Sequence, residues 1–150
     1  MGTTLFYNEL KSALSSAHTL QEVERIIQKE IQNISGFSIG FVVGKVTASD
    51  GDTRESNLTL LEKRTKEIGL IEQSNNILVF SSSVIPAFIE VSAQKDEFYI
   101  FWEQIVEKYA DILYTTPNFE ASKGASAEIS LAQKMGKIIT SYDKVIISKK

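Results

Sequence analysis

DILYTTPNFEASKGASAEISLAQKMGKIIT, residues 111–140, carries the pattern that decides the fold. Asp111 to Thr116 is short, apolar and β-rich, and Pro117 stops it because proline has no N–H for a sheet ladder. Ser122 to Gly136 contains a helix, with Ala125, Ile129, Ala132 and Met135 on its inward face and Gly136 as its stop. Lys137 to Thr140 then returns to strand. Strand, helix and strand within about thirty residues make a parallel βαβ unit.

The same alternation extends in both directions. Upstream, Phe98, Phe101, Trp102, Ile105, Val106 and Tyr109 repeat at helical spacing, an aromatic stripe that reads as core packing. Before it, Asn76 to Ser81 contains a strand, and Ser82 to Glu97 is irregular, with Pro86 and a short helix around Ala87 to Val91. Asp52 and Glu55 give a D-x-x-E helix start, with Leu58, Leu61 and Ile68 on the buried face and Gly69 ending or weakening that helix. Phe37 to Gly44 (FSIGFVVG) is the first core strand, and Lys45 to Thr53 is a polar loop. Downstream, Val145 to Ser148 reads as a fifth strand.

Two amphipathic helices precede the first strand. Phe6, Leu10, Ala13, Leu14 and Ala17 mark one, and Val23, Ile26, Ile27, Ile31 and Ile34 mark the other. Thr19 and Glu22 form a capping box between them, and Gly36 is a stop. This hairpin covers a sheet face or makes a subunit contact. The expected architecture is a doubly wound, Rossmann-like, mainly parallel five-stranded α/β sheet, wound right-handed, in a single domain over 1–150 with a helical extension over 1–35.

Composition narrows the chemistry. With 150 residues, 43% hydrophobic and 23% charged, the chain has an ordinary globular make-up. A net charge of −3 without a long basic block argues against nucleic acid as the main partner. No apolar run is long enough to cross a bilayer, and no signal peptide is visible, so a cytoplasmic protein is expected. There is no cysteine, which removes disulfides, thiol nucleophiles and the usual structural zinc sites. The one histidine, His18, reads as a solvated residue between helices. Acid, base or nucleophile must then come from a carboxylate, Lys or Tyr.

Ligands of open parallel sheets bind beyond the carboxyl ends of the strands. Lys45 to Thr53, Ser81 to Glu97 and Pro117 to Gly124 leave those ends, and all three are long for strand-to-helix loops. The third is the most informative. Ser122, Lys123 and Gly124 sit where a helix begins, so free N–H groups and the positive end of the helix dipole face the cleft. Gly124 removes a side chain where backbone approaches a ligand. Glu128 follows about one turn on. In the first loop and the helix start after it, Lys45, Asp50, Asp52, Arg54 and Asn57 are candidate contacts, and each also fits a surface or capping role.

Asp111 to Ile139 resembles the nucleoside 2-deoxyribosyltransferase-like superfamily. It looks closest to a branch with the signature W/F-E-x-S-x-G-A-x-x-E-x-x-x-A, read here from Phe119 through Glu120, Ser122, Gly124, Ala125 and Glu128 to Ala132. The resemblance implies a flavodoxin-like sheet, no cofactor, no metal, a small-molecule nucleoside or nucleotide as partner, and a homo-oligomer. It also implies that Glu128, at the nucleophile position, attacks C1′ of a nucleoside and releases the base, and that water or a second base resolves the covalent intermediate. Asn118 and Glu120 are the candidates for orienting sugar or base. Lys123 beside a helix start suits a 5′-phosphate. Transferases of that superfamily carry a Tyr in or just after the first strand, where this chain has Gly44 or Lys45. They also place Asp residues after the third strand, where it has Thr116, Pro117 and Asn118. Those departures favour the alternative, a non-catalytic binder of a nucleotide-like ligand.

Overall fold

The computed structural model describes residues 5–44, 53–86, 95–117 and 119–149. Among them, four strands form one parallel sheet: β1 (Ser38–Val43), β2 (Ile77–Ser81), β3 (Ile112–Thr115) and β4 (Ile138–Ser141), in the order β2-β1-β3-β4. Register is set by pairs such as Phe41 with Phe80 and with Leu113, and Leu113 with Ile139. Six helices accompany the described strands: α1 (Phe6–Leu14), α2 (Leu20–Gln32), α3 (Arg54–Glu72), α4 (Lys95–Tyr109), α5 (Lys123–Lys134) and α6 (Tyr142–Lys149).

Strand alternation sorts the core into two layers. Ile39, Phe41, Val43, Leu78, Phe80 and Leu113 point to one face, where α1, α2, α4 and α5 bring Phe6, Leu10, Leu14, Val23, Ile27, Phe101, Trp102, Ile105, Ala125 and Ile129. Val42, Val79 and Tyr114 point to the other, against Leu61 and Ile68 of α3 and Val145 of α6. Edge-on contact of Phe41 with Phe80, centroids 5.2 Å apart, and Trp102 at 5.7 Å from Phe41 centre the larger layer. The step from β1 to β2 runs one way across the sheet and carries its helix on one face. The steps from β2 to β3 and from β3 to β4 run the other way and carry theirs on the opposite face, as a single crossover hand requires. The arrangement is consistent with a Rossmann-like fold.

The fifth strand expected at Val145–Ser148 is part of helix α6. Its Val-Ile-Ile run has strand propensity, but Ser141 ends β4 with its Oγ accepting from the Lys144 N–H at 3.1 Å and starts a helix at once. Tyr142 and Val145 then fall three apart on the side facing α3, and the Tyr142 hydroxyl donates to Glu67 at 2.7 Å. Gly69 does not end α3, which continues to Glu72. Its missing side chain makes room for Leu5, whose Cδ1 would lie 3.1 Å from a Cβ built there. The start of α3 also differs from the D-x-x-E reading: Thr53 is the N-cap, in a reciprocal box with Ser56. At α2 the Thr19 Oγ1 accepts from the Glu22 N–H as expected, while the Glu22 carboxylate reaches back to the His18 N–H at 3.1 Å. That helix closes at Asn33, and Gly36, at φ +83°, turns the chain into β1 instead. The short helix expected over 87–91 lies outside the described residues.

The N-terminal hairpin packs into the core. Phe6, Tyr7, Leu10 and Leu14 are almost fully buried, and Phe6 meets Phe80 of the edge strand β2 edge-on at 6.3 Å. Lys11 pairs with Glu62 of α3 at 2.8 Å, so α1 touches both faces' elements where β2 would otherwise be an open edge. A buried hydroxyl chain fastens it. Tyr7 meets Ser83 at 2.7 Å, Ser83 meets Ser81 at 2.7 Å, Ser81 meets Thr65 at 2.9 Å, and Thr65 donates to the Leu61 carbonyl at 2.6 Å. The Thr65 hydroxyl is within donating reach of both the Ser81 Oγ and the Leu61 carbonyl, which ties the chain to α3.

Candidate functional site

The sheet order reverses between β1 and β3, and open α/β sheets hold ligands beyond the carboxyl ends of the strands at such a point. The two strand ends are clamped together. Thr116 donates to the Val43 carbonyl through its N–H (3.2 Å) and through its hydroxyl (2.9 Å). Gly44 sits in the clamp, where a Cβ would come within 2.9 Å of both the Thr116 Oγ1 and the Leu61 Cδ1. Beyond Thr116 the chain makes a tight turn through Pro117 and a 3-10 turn, Phe119–Ala121. The Phe119 N–H reaches Thr116 O at 3.2 Å, and the Ser122 N–H reaches Phe119 O at 2.9 Å. Ser122 caps α5, its Oγ accepting from the Ala125 N–H at 3.2 Å.

Glu128 lies on the same helix stripe as Ala125, Ile129 and Ala132, all of them buried. Only 9% of it is exposed, and among the described residues no hydrogen bond or ion pair engages its carboxylate. Burial, and behind it the negative charge of Glu103 on α4, pushes its carboxyl up to about 8. A solvated helix-start Glu would stay near the ordinary carboxylate value, and burial sets Glu128 apart from such a residue. The position is neither bulk water nor an ion pair among the described groups.

The other predicted contacts divide into three sets. Glu120, Ser122 and Gly124 share the turn and helix start that precede Glu128. Glu120 is exposed with its carbonyl accepting from Ser126 Oγ at 3.4 Å, Ser122 spends its oxygen on the helix cap, and Gly124 backs against the Tyr99 ring. Lys123 is the first residue of α5. Arg54 and Asn57 lie in the first turn of α3, at the carboxyl end of β1 but on the other face of the sheet, and the Asn57 N–H donates to Thr53 O at 3.0 Å. Lys45, Asp50, Asp52 and Asn118 lie outside the described residues.

Sequence reading placed Thr116 at the end of the third strand without foreseeing its hold on the Val43 carbonyl, and it missed two residues of α4. Tyr99 and Glu103 flank the aromatic stripe of α4, four residues apart, and the signal for them was Gly124, which allows α5 to approach that flank. Two grooves among the described residues lie elsewhere: about 390 Å³ between α2 and α4, and about 310 Å³ by Leu5, Phe37 and Leu70. The described residues hold no group of three or more His, Asp or Glu able to take a metal ion, and no helix among them is long and apolar enough to cross a membrane.

The chain is an α/β protein with a parallel sheet, its β1 and β3 ends clamped by Thr116, and, among the described residues, a buried carboxylate, Glu128, on the helix after β3. The model of the family described as a domain of unknown function (DUF4406) matches residues 41–141, from β1 through the end of β4, and the chain belongs to that family. Neither a curated protein nor a solved structure matches it.

Proposed function

We propose that the protein acts on the N-glycosidic bond of a nucleoside or nucleotide through Glu128, as a deoxyribosyltransferase or N-glycoside hydrolase on a flavodoxin-like scaffold. One observation carries this reading: Glu128 is buried on the helix leaving the switch-point strand and has no partner among the described residues. A largely buried carboxylate without a cation partner among the described residues gains most when positive charge appears beside it, and glycosyl transfer generates such charge at C1′. The Glu128 oxygen forms a bond to C1′ as the bond from C1′ to the base nitrogen breaks. Both electrons of that bond leave with the base, which takes a proton. Water or a second base then displaces the carboxylate. The ionised form is the nucleophile, so activity rises with pH through the range in which Glu128 loses its proton.

The test is a panel of ribo- and deoxyribonucleosides and their 5′-monophosphates, with base release followed chromatographically. Release from at least one compound, abolished in folded Glu128→Ala, is expected; folded wild-type protein inert to the whole panel overturns the reading. The monophosphates also probe Lys123, whose replacement by Ala is expected to weaken monophosphate binding alone. The working form we propose is a cytoplasmic homo-oligomer, and light scattering on the full chain addresses the assembly.

A specific observation favours a second reading, a binder without turnover. At Gly44, which with Lys45 is where the superfamily's transferases carry Tyr in or just after the first strand, a Cβ would come within 2.9 Å of the Thr116 Oγ1 and the Leu61 Cδ1, so a side chain there would have to displace the clamp. A thermal-shift screen separates the two readings, because ligand at about a hundred times its Kd adds roughly 2.7 kcal/mol whether or not product forms.

A further inference from the structure

Glu128 has a counterpart on the neighbouring helix. α4 and α5 precede and follow β3 on the same face of a parallel sheet, so they run in the same direction. They meet at Gly124, where a Cβ would lie 3.0 Å from the Tyr99 Cε1. Glu103 and Glu128 each follow that contact by four residues, about one turn in both helices, which sets the two carboxylates opposite one another. Glu103 is half-buried and Glu128 is 9% exposed. Among the described cations, Lys108 of α4 pairs with Glu24 at 2.7 Å, and the Lys137 ammonium donates to the carbonyls of Ala110 (2.6 Å) and Glu107 (3.2 Å).

Two carboxylates at close quarters do not both stay ionised without a cation. The upward displacement of Glu128 is due first to burial and then to Glu103, so at neutral pH Glu128 mostly holds its proton. A cationic group arriving between the two side chains replaces that proton and relieves the repulsion. A neutral group of the same shape does neither.

We propose that Glu103 and Glu128 form a charge-selecting pair that receives the ligand through a positively charged group, the electron-poor sugar carbon of a glycosyl group or a protonated amine in its place, with Glu103 as a positioning residue acting through Glu128. This rests on the glycosyl reading for the identity of the ligand and adds to it the second carboxylate. Glu103 makes ionised Glu128 costly in the empty site and favourable once positive charge develops.

The experiment compares two probes of one shape on the full chain: a protonated pyrrolidine bearing the hydroxyl and hydroxymethyl groups of deoxyribose, and the neutral tetrahydrofuran equivalent. Wild type is expected to bind the cation about tenfold or more tightly. Glu103→Gln is expected to lose most of that preference, and Glu103→Asp to recover part of it. Carboxyl-carbon NMR reads the same pair directly: the Glu128 titration moves down in Glu103→Gln. A merely structural Glu103 would change affinity for both probes equally and leave the titration in place, and that result overturns the proposal. Binding of neither probe by folded wild type overturns both the ligand assignment and the glycosyl reading. Preferential binding of the cation without base release in the nucleoside panel upholds the pair and rejects the chemistry.

Discussion

Glu128→Gln is expected to make the protein more stable, and increasingly so as pH rises. Burial, and after it Glu103, pushes the carboxyl up to about 8 in the folded chain, against an ordinary value of about 4.5 in the unfolded one. Between those values the folded state binds a proton that the unfolded state has released. The slope of unfolding free energy with pH is set by protons bound in the unfolded state minus those bound in the folded state, and here that difference is negative. Stability is therefore greatest below the lower value, declines across the window, and levels off above the upper one. At about 1.4 kcal/mol per pH unit, the full decline is on the order of 5 kcal/mol at pH 9 and roughly 3 kcal/mol at pH 7.

Glutamine keeps the shape and hydrogen-bonding capacity of the protonated acid and cannot ionise. The two proteins are expected to match within about 1 kcal/mol at pH 5 and to separate by several kcal/mol at pH 9. For a chain of this size each kcal/mol moves Tm by roughly 2–4 °C, so the separation at pH 9 is on the order of 10 °C or more. Urea titrations at pH 5, 7 and 9, with m-values compared to confirm the same unfolding, supply the free energies directly. Parallel pH profiles for the two proteins would refute the reasoning, because they would mean that Glu128 ionises freely in the folded state and is open to water.

Three further outcomes follow from packing and capping. In Gly40→Ala the new methyl would stand 2.7 Å from the Tyr114 ring and 3.2 Å from Val79, so overpacking is expected to cost about 1–3 kcal/mol in urea unfolding. Tyr7→Phe removes the terminal hydroxyl of the chain that runs through Ser83, Ser81 and Thr65, and a loss of about 1–2 kcal/mol is expected, with a double-mutant cycle against Ser83→Ala showing coupling. Ser122→Ala deletes the cap at the start of α5 and is expected to cost about 1 kcal/mol, read as a Tm shift of a few degrees.

Most of the sheet was legible because its strands are short apolar runs between turn signals, and all four described strands lie within a residue of the expected bounds. The failures share a cause. At Val145–Ser148 a β-branched run carried the propensity of a strand, yet Ser141 offered a cap and α3 offered a surface at helical spacing, and tertiary packing prevailed. Gly69 has the look of a helix stop, but its meaning is the passage of Leu5, a residue more than sixty positions earlier. Sequence periodicity reports which face is buried and is silent about what lies against it. Glu128 was legible as a position, while its environment was not, because that depends on Glu103 and Tyr99 of another helix.

That dependence bears on why the carboxylate is informative. α5 needs a small, apolar stripe to sit on the sheet, and Ala125 and Ala132 supply it, buried almost completely. A glutamate on the same stripe satisfies the spacing but works against the energetics, since a neutral residue of equal volume would avoid the desolvation and the repulsion from Glu103. Neither capping nor the helix dipole offsets that cost, for Ser122 already caps the helix and Glu128 lies beyond its first turn. The fold gains nothing described here from ionising Glu128. What would gain is a ligand that brings positive charge to the carboxylate, and for that reason the stability of Glu128→Gln and its loss of ligand binding are expected to move in opposite directions.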